Sequence, residues 1–351
     1  MSTSPLQSAG RFVGQSVKRK EDPRLVTGHG RYVDDVTVPG LLHAAFLRSD
    51  VARGRITRLD VSEARALDGV HAVLTAAELN DHVVGPMLPT MFADGSQGVS
   101  APVRPLADGD VRFVGDPIAL VVAESRYVAE DACDLIEVDY EPLTAIVDFE
   151  RAAADTENLV HPELVSNVAS TVATRPDPEL DLALANAAHV VTETFHQQRQ
   201  TPTPMETRGI VAHWDAYAGE LQVWMSSQNP HEVRRTCARI LGVPENRVRA
   251  MQQDVGGGFG QKYFMPRDEM TVVLASHFLR RPVKWIEDRR ENLLASNHAR
   301  TDRATVTIGV DADGRIVGAR IDHLEDAGAY ANGAGAARSV RLARANPLSP
   351  S

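Results

Sequence analysis

Between Gln252 and Lys262 the chain reads Gln-Gln-Asp-Val-Gly-Gly-Gly-Phe-Gly-Gln-Lys, four glycines around one phenylalanine, and no other segment limits the fold and its use so strongly. Glycine has no Cβ, so such a run reaches φ > 0 and turns consecutive peptide N–H groups toward an anion or an oxo group. A tight turn without a ligand uses the same residues. The run alone leaves both readings open.

The flanking pattern places the run. Leu221, Val223 and Met225 alternate with Gln222, Trp224 and Ser226, which is a half-buried strand. A helix start follows: Asn229 is suited to the N-cap, Pro230 to the first helical position, and Glu232 to reaching back in a capping box. Val233, Cys237, Ile240 and Leu241 make an apolar stripe, and Gly242 with Pro244 ends it. The expected continuation is a strand over 246–255, a turn at the glycines and a helix over 267–279. Asp268 and Glu269 favour the first turn of that helix, and Met270, Val273, Leu274, His277 and Phe278 share one face. Strand, helix, strand, turn, helix brings Gln228, at a strand end, close to the glycine run. Both sit where strands meet helix N-termini, a usual place for anionic or oxo ligands.

Upstream, residues 14–148 mix short elements, with strands expected at 41–47 and 70–74 and helices at 62–67 and 76–79. After a turn at Gly115-Asp116-Pro117 an apolar run reaches Ala123. Val128, Ala132, Leu135 and Ile136 then share a helix face, and alternation resumes over 136–140. The fold class is α+β. Residues 81–111 read as a long loop and 148–179 as a connector rich in proline and acid, so 351 residues divide into roughly two domains.

Several function classes are disfavoured. A net charge of -10 does not suit a nucleic-acid partner, which calls for a basic face. Cys133 and Cys237 are the only cysteines and lie far apart, so no disulfide framework, zinc site or iron–sulfur site is readable. No apolar run approaches the ~20 residues of a membrane span, and Met1 to Gly10 show no basic segment followed by an apolar one, so a cytoplasmic location is expected. The glycines are out of register for a dinucleotide fingerprint, with Glu287 the nearest strand-end acid, and Lys262 is followed by Tyr263 where a P-loop needs Ser or Thr. His231-Glu232 lacks the second zinc-protease histidine, whose position holds Arg235. The twelve histidines form no metal-spaced pair, and there is no nucleophile elbow.

Two residues carry alternatives. Gln228 is either an ordinary polar strand end or a neutral amide able to donate to a metal-oxo group without adding charge. Phe259 is expected to plug the gap between turn and helix with its ring buried, its N–H still able to point outward.

Further segments carry a resemblance. They are Gly14-Gln15-Ser16-Val17-Lys18-Arg19, Glu21-Asp22-Pro23-Arg24-Leu25-Val26-Thr27-Gly28, Tyr32-Val33-Asp34-Asp35, Val114-Gly115-Asp116-Pro117-Ile118-Ala119, Val138-Asp139-Tyr140-Glu141-Pro142-Leu143, Thr203-Pro204-Met205-Glu206-Thr207-Arg208-Gly209 and Ser226-Ser227-Gln228-Asn229-Pro230. With the glycine run, and collinear over about 11–337, they make the chain resemble the N-terminal part of a molybdenum hydroxylase large subunit. This is the xanthine dehydrogenase and aldehyde oxidase family, and the chain looks most like the aerobic carbon monoxide dehydrogenase large subunit.

The resemblance implies an a/b hammerhead domain over 11–148, a connector over 149–179, and the first part of a molybdopterin-binding domain over 180–337. It implies molybdenum on molybdopterin cytosine dinucleotide, held by dithiolene sulfurs with no protein ligand to the metal. Gln228 would approach the apical oxo ligand as the catalytic-site residue. Gly257, Gly258, Phe259, Gly260 and Gln261 would line the cofactor. Family chemistry is hydroxylation of an aldehyde, a heteroaromatic carbon or carbon monoxide with water-derived oxygen, electrons leaving through an FAD-binding subunit and a two-cluster [2Fe-2S] subunit.

The resemblance also sets departures. The family's catalytic glutamate lies far downstream and is not in this chain, nor is the loop whose cysteine binds copper in carbon monoxide dehydrogenases. Tyr263 stands where xanthine-oxidising members carry glutamate, which disfavours xanthine. Residues 338–351 depart from the expected continuation, as in a truncated or frameshifted product. The alternative is a non-catalytic remnant with a folded hammerhead domain.

Overall fold

Pro117–Ala123 is a run of seven apolar residues, every one buried, and a strand of that kind sits inside a sheet covered on both faces. In the computed structural model it does. The structure describes residue 12 and residues 14–87, 101–169, 171 and 176–330. Expectations for 331–351, and for 88–100 within the long loop, lie outside the described residues.

The first region runs α1 (Asp22–Val26), β1 (Leu42–Arg48), β2 (Gly54–Asp60), α2 (Ser62–Ala66), β3 (Val70–Leu74), α3 (Ala76–Leu79), β4 (Asp110–Val111), β5 (Pro117–Ala123), α4 (Arg126–Asp134) and β6 (Glu137–Pro142). Then follow α5 (Phe149–Ala154), α6 (Pro178–Ala185), β7 (His189–Gln197), β8 (Gly209–Asp215), β9 (Glu220–Met225), α7 (Pro230–Leu241), β10 (Val248–Met251), α8 (Arg267–Leu279), β11 (Val283–Ile286), α9 (Arg289–Ala295), β12 (Asp302–Val310) and β13 (Ile316–Glu325).

Among the described residues the largest sheet has seven strands in the order β10-β9-β8-β11-β1-β5-β3. It takes strands from both sequence regions. The joint is the parallel pair of β1 with β11, Leu42 opposite Val283 and His43 opposite Lys284. Alternation along β5 assigns its two faces: Leu120 and Val122 join the core that α7 and α8 cover, while Ala119, Val121 and Ala123 pack with Ala129 and Ala132 of α4. The remaining described strands form two three-stranded sheets, β13-β12-β7 and β4-β2-β6.

The unit that places the glycine run is β9–α7–β10, in which β10 lies parallel to β9 with Val248 opposite Leu221 and Met251 opposite Trp224. The Asn229 side chain accepts from the Glu232 N–H, and Gly242 ends α7 at φ 67°. The capping box does not close. Glu232 instead binds Arg235 and Thr236, and the Asn229 N–H goes to Ser227 Oγ.

The strand expected over 246–255 is confined to Val248–Met251. Beyond it the chain is drawn to the N-terminal segment: the Asp254 carboxylate binds the Arg24 guanidinium and the Arg31 N–H, and the Asp254 N–H donates to the Arg31 carbonyl. Nor does α8 bury a single face. Every residue from Arg267 to Ser276 is buried, because the helix lies between the β8–β11 face and the segment at Pro105, whose carbonyl accepts from Arg267 and Thr271. No described helix is long and apolar enough to cross a membrane.

Candidate functional site

Gln228 leaves the end of β9 and meets the glycine run directly. The Gln228 N–H donates to the Lys262 carbonyl at 2.9 Å, and Ser227 Oγ donates to the same oxygen at 3.3 Å. From the other side the Gly260 N–H donates to Gln228 Oε1 at 3.0 Å. This bond fixes which way the side-chain amide faces, since the oxygen must meet the peptide donor and the NH2 group is then directed away. A Cβ on Gly258 would stand 2.5 Å from Gln228 Cδ, so only glycine admits the amide this close.

The backbone of the run turns through left-handed conformations at Gly257 (φ 101°), Phe259 (φ 50°) and Gly260 (φ 87°). For Phe259, which has a Cβ, that conformation is uncommon and costs energy. Among the described residues the N–H groups of Gly257, Gly258 and Phe259 make no hydrogen bond, and neither does Gln228 Nε2. The result is a seat of neighbouring, unspent neutral donors.

The Phe259 ring does not plug the core; it is 73% exposed. The left-handed turn carries it outward, and its edge folds back over Gly257, where a Cβ would lie 2.8 Å from the ring. Gln261 faces the opposite way. Its buried side chain accepts from Asn292 Nδ2 at 3.3 Å and donates to the Pro202 carbonyl at 3.4 Å, while its N–H closes on the Gly258 carbonyl at 2.9 Å.

Charged residues to which the sequence reading gave no role hold the seat from beneath. Lys262, fully buried, donates to the Glu206 carbonyl (2.8 Å), Glu206 Oε2 (3.0 Å) and Ser226 Oγ (2.7 Å). Burial lowers the Lys262 pKa, Glu206 opposing it. Deeper in, Arg208 bridges Asp268 (2.8 Å), Glu269 (3.3 Å) and Glu287 (2.6 Å), and Arg48 on β1 bridges Asp268 and Glu291, both at 2.9 Å. Asn292 ties Glu287 (2.8 Å) to Gln261. Two guanidinium groups face four carboxyls, and the carboxyls respond differently: burial, with Asp268 and Glu287 nearby, raises Glu269 to about 8, and burial also raises Glu291. Asp268 lies at about 2, its burial outweighed by Arg48 and Arg208. A signal for this cluster was present in the sequence, where Arg208 and Glu287 directly abut apolar strands.

A cavity of about 710 Å3 lies elsewhere, bordered among others by Arg112, Phe113, His161, Asn167 and His323, and none of the seat residues lines it.

Comparison with known proteins bears on what such a seat is for. Residues 160–345 match the molybdopterin cofactor-binding domain, and residues 27–144 match the a/b hammerhead domain of aldehyde oxidase and xanthine dehydrogenase. The chain belongs to this molybdenum hydroxylase family, as part of a large subunit. It is 42% identical over 319 residues to the nicotine 6-hydroxylase large subunit of Paenarthrobacter nicotinovorans, which covers 91% of this chain and 38% of that protein. It is 39% identical over 338 residues to the carbon monoxide dehydrogenase large chain of Afipia carboxidovorans, covering 92% of this chain and 41% of the relative. Among solved structures, quinoline 2-oxidoreductase from Pseudomonas putida 86 superposes with a TM-score of 0.81 at 41% identity, over 89% of this chain and 39% of that one. The chain thus spans about two fifths of the length of these relatives.

Gln228 and the whole glycine run fall inside the molybdopterin-binding match. The residues present suit such a group. An oxo- and phosphate-bearing cofactor asks for unspent N–H donors, and among the described residues Gly257, Gly258, Phe259 and Gln228 Nε2 supply them.

Proposed function

We propose that the chain is the molybdenum-cofactor-binding part of an oxidoreductase that hydroxylates a small molecule, and that the seat of Gln228, Gly257, Gly258, Phe259, Gly260 and Gln261 is where the cofactor lies. The observation that carries this is the Gly260 N–H to Gln228 Oε1 bond, which ties the Gln228 side-chain amide to the glycine run and leaves its NH2 group, like the peptide N–H groups of Gly257, Gly258 and Phe259, without a partner among the described residues.

Bound there, the molybdenum group would supply the two-electron acceptor. What this chain contributes is positioning. Gln228 Nε2 offers a neutral hydrogen bond, so negative charge on its partner is met without a counter-charge that would hold it too tightly. Gly257, Gly258 and Phe259 present backbone amides that need no side-chain ordering at the moment of binding. Gln261 contributes its N–H to the turn and its side chain to Asn292, bracing the loop from below. Lys262 and Glu206 neutralise each other, so the seat has no net charge from this pair.

The cofactor form that fits the resemblance is molybdopterin cytosine dinucleotide. The relatives are named as large subunits or chains, which supports assembly with others; an FAD-binding subunit and a two-cluster [2Fe-2S] subunit are the partners proposed, in the cytoplasm. Nicotine, quinoline, carbon monoxide and aldehyde in the names of similar proteins support an N-heterocycle, carbon monoxide and an aldehyde as the candidate substrate classes.

Molybdenum and pterin content of the purified chain tests the reading. Wild type should carry both, and Gln228→Ala should carry at least tenfold less at a melting temperature within about 4 °C of wild type. Absence of both from folded wild-type protein would refute cofactor binding by this chain.

A further inference from the structure

Glu206 grips the glycine run at both of its ends. At the start, the Glu206 N–H donates to the Gly256 carbonyl at 3.2 Å, and the Gly256 N–H returns a bond to Glu206 Oε2 at 2.8 Å. The backbones lie so close that a Cβ on Gly256 would stand 2.5 Å from Glu206 Cβ. At the far end, Lys262 Nζ binds both the carbonyl and Oε2 of Glu206. A third anchor is Ser226, two residues before Gln228, whose hydroxyl donates to the same Oε2 at 2.6 Å.

One carboxylate oxygen therefore joins Gly256, Lys262 and the strand end that leads to Gln228. Residues 257–261 are the loop spanned between these fixed points. An ammonium has three protons, and those of Lys262 are taken up by Glu206 twice and Ser226 once. Lys262 thus has no proton left for a ligand, and its place is beneath the seat rather than in it.

We propose that Glu206, locked by Lys262 and Ser226, is the positioning residue of the seat, setting the spacing between the Gln228 amide and the peptide donors of Gly257, Gly258 and Phe259. This rests on the cofactor reading above. The bonds of Glu206 Oε2 go to the run and its anchors, so Glu206 acts through the run, its carboxylate serving as an acceptor whose geometry matters more than its charge.

Amide hydrogen exchange resolved by residue tests this in the full chain, alongside melting temperature and pterin content. Removing one member of the pair strands a buried charge and risks unfolding, so the variants remove both. E206A/K262M should melt close to wild type, exchange at the Gly260 and Gln261 amides at least tenfold faster with α7 and α8 unchanged, and hold at least tenfold less pterin. E206Q/K262M keeps a carbonyl acceptor for Gly256 and Ser226 and should restore protection to within about threefold of wild type. Unchanged exchange at Gly260 and Gln261 in folded E206A/K262M overturns the proposal, and so does E206Q/K262M exchanging as fast as E206A/K262M. Should E206A/K262M not fold, S226A takes its place: faster Gly260 exchange supports the assignment, and unchanged exchange overturns it.

The two readings separate cleanly. If wild type holds no pterin yet Gly260 exchange responds to Glu206, the cofactor reading falls and the positioning role stands. If Gln228→Ala loses pterin while Glu206 variants leave exchange untouched, the reverse is true.

Discussion

Gly258→Ala separates the architecture of the seat from its use. Gly258 does not have a left-handed φ, so alanine meets no backbone penalty there, and the unfolded chain loses freedom to the folded state's benefit by about 0.4–1 kcal/mol. The new Cβ would stand 2.5 Å from Gln228 Cδ and 2.6 Å from Cγ and Oε1, where ordinary contact begins at 3.4 Å. An opening of about 0.9 Å is needed, and the exposed Gln228 side chain can supply it by swinging away. Swinging breaks the Gly260 N–H to Oε1 bond, at a cost of about 0.5–1.5 kcal/mol. The two effects nearly cancel, and the melting temperature should move by no more than about 4 °C. Cofactor retention has no such compensation. A lost hydrogen bond to a charged partner is worth about 1.5–3 kcal/mol, or roughly 10- to 100-fold in retained pterin and molybdenum. The assay pairs calorimetry with pterin fluorescence and metal analysis, and exchange at the Gly260 amide reports the swing without any cofactor. A melting temperature lowered by more than about 8 °C would mean that the run is structural. Full retention with a freed Gly260 amide would mean that Gln228 is not the donor.

Two further outcomes follow from the buried charges. Glu269 has its carboxyl raised from 4.5 to about 8, so its contribution to stability is complete below about pH 4.5 and is lost as pH rises through 8, by a ceiling of about 5 kcal/mol at about 1.4 kcal/mol per pH unit. Denaturant titrations at pH 5, 6.5 and 8 should show Glu269→Gln flattening that decline relative to wild type, a difference in which the histidines cancel; parallel curves would show that Glu269 carries no proton. Arg208→Met leaves Asp268, Glu269 and Glu287 without their shared cation and should lower the unfolding free energy by about 3–5 kcal/mol, with a loss below about 1 kcal/mol ruling out the network as drawn.

The parts legible in the sequence are those set by near neighbours. Alternation at Leu221, Val223 and Met225, the Asn229 cap and the Gly242 stop depend on residues within a turn or two, and all appear in β9 and α7. Where a distant group competes, local reading fails. Glu232 lies in place for a capping box but is taken by Arg235 and Thr236. Residues 252–255 carry a strand pattern, yet Asp254 is held by Arg24 and Arg31, more than 220 positions away. Apolarity alone puts the Phe259 ring in the core, and apolarity says nothing of a φ of 50°. The apolar face read on α8 was real but incomplete, because Asp268 and Glu269 are buried by partners on β1 and before β8.

That same distance dependence explains why the seat belongs to the whole sheet rather than to the segment that forms it. Arg48 stands at the end of β1 in the hammerhead region, and it is Arg48 that pairs with Asp268 at the start of α8 and with Glu291 on α9. Glu291 caps α9, α9 carries Asn292, and Asn292 braces Gln261 beneath the glycine run. Taking β1 away would open an edge on β11 and strip the buried Asp268 and the half-buried Glu291 of a cation, a loss that low-dielectric surroundings make severe. Two adjacent domain matches along the sequence therefore correspond, in space, to one sheet and one charge network, and the free donors at Gly257, Gly258 and Phe259 stay where they are because both regions hold the residues under them.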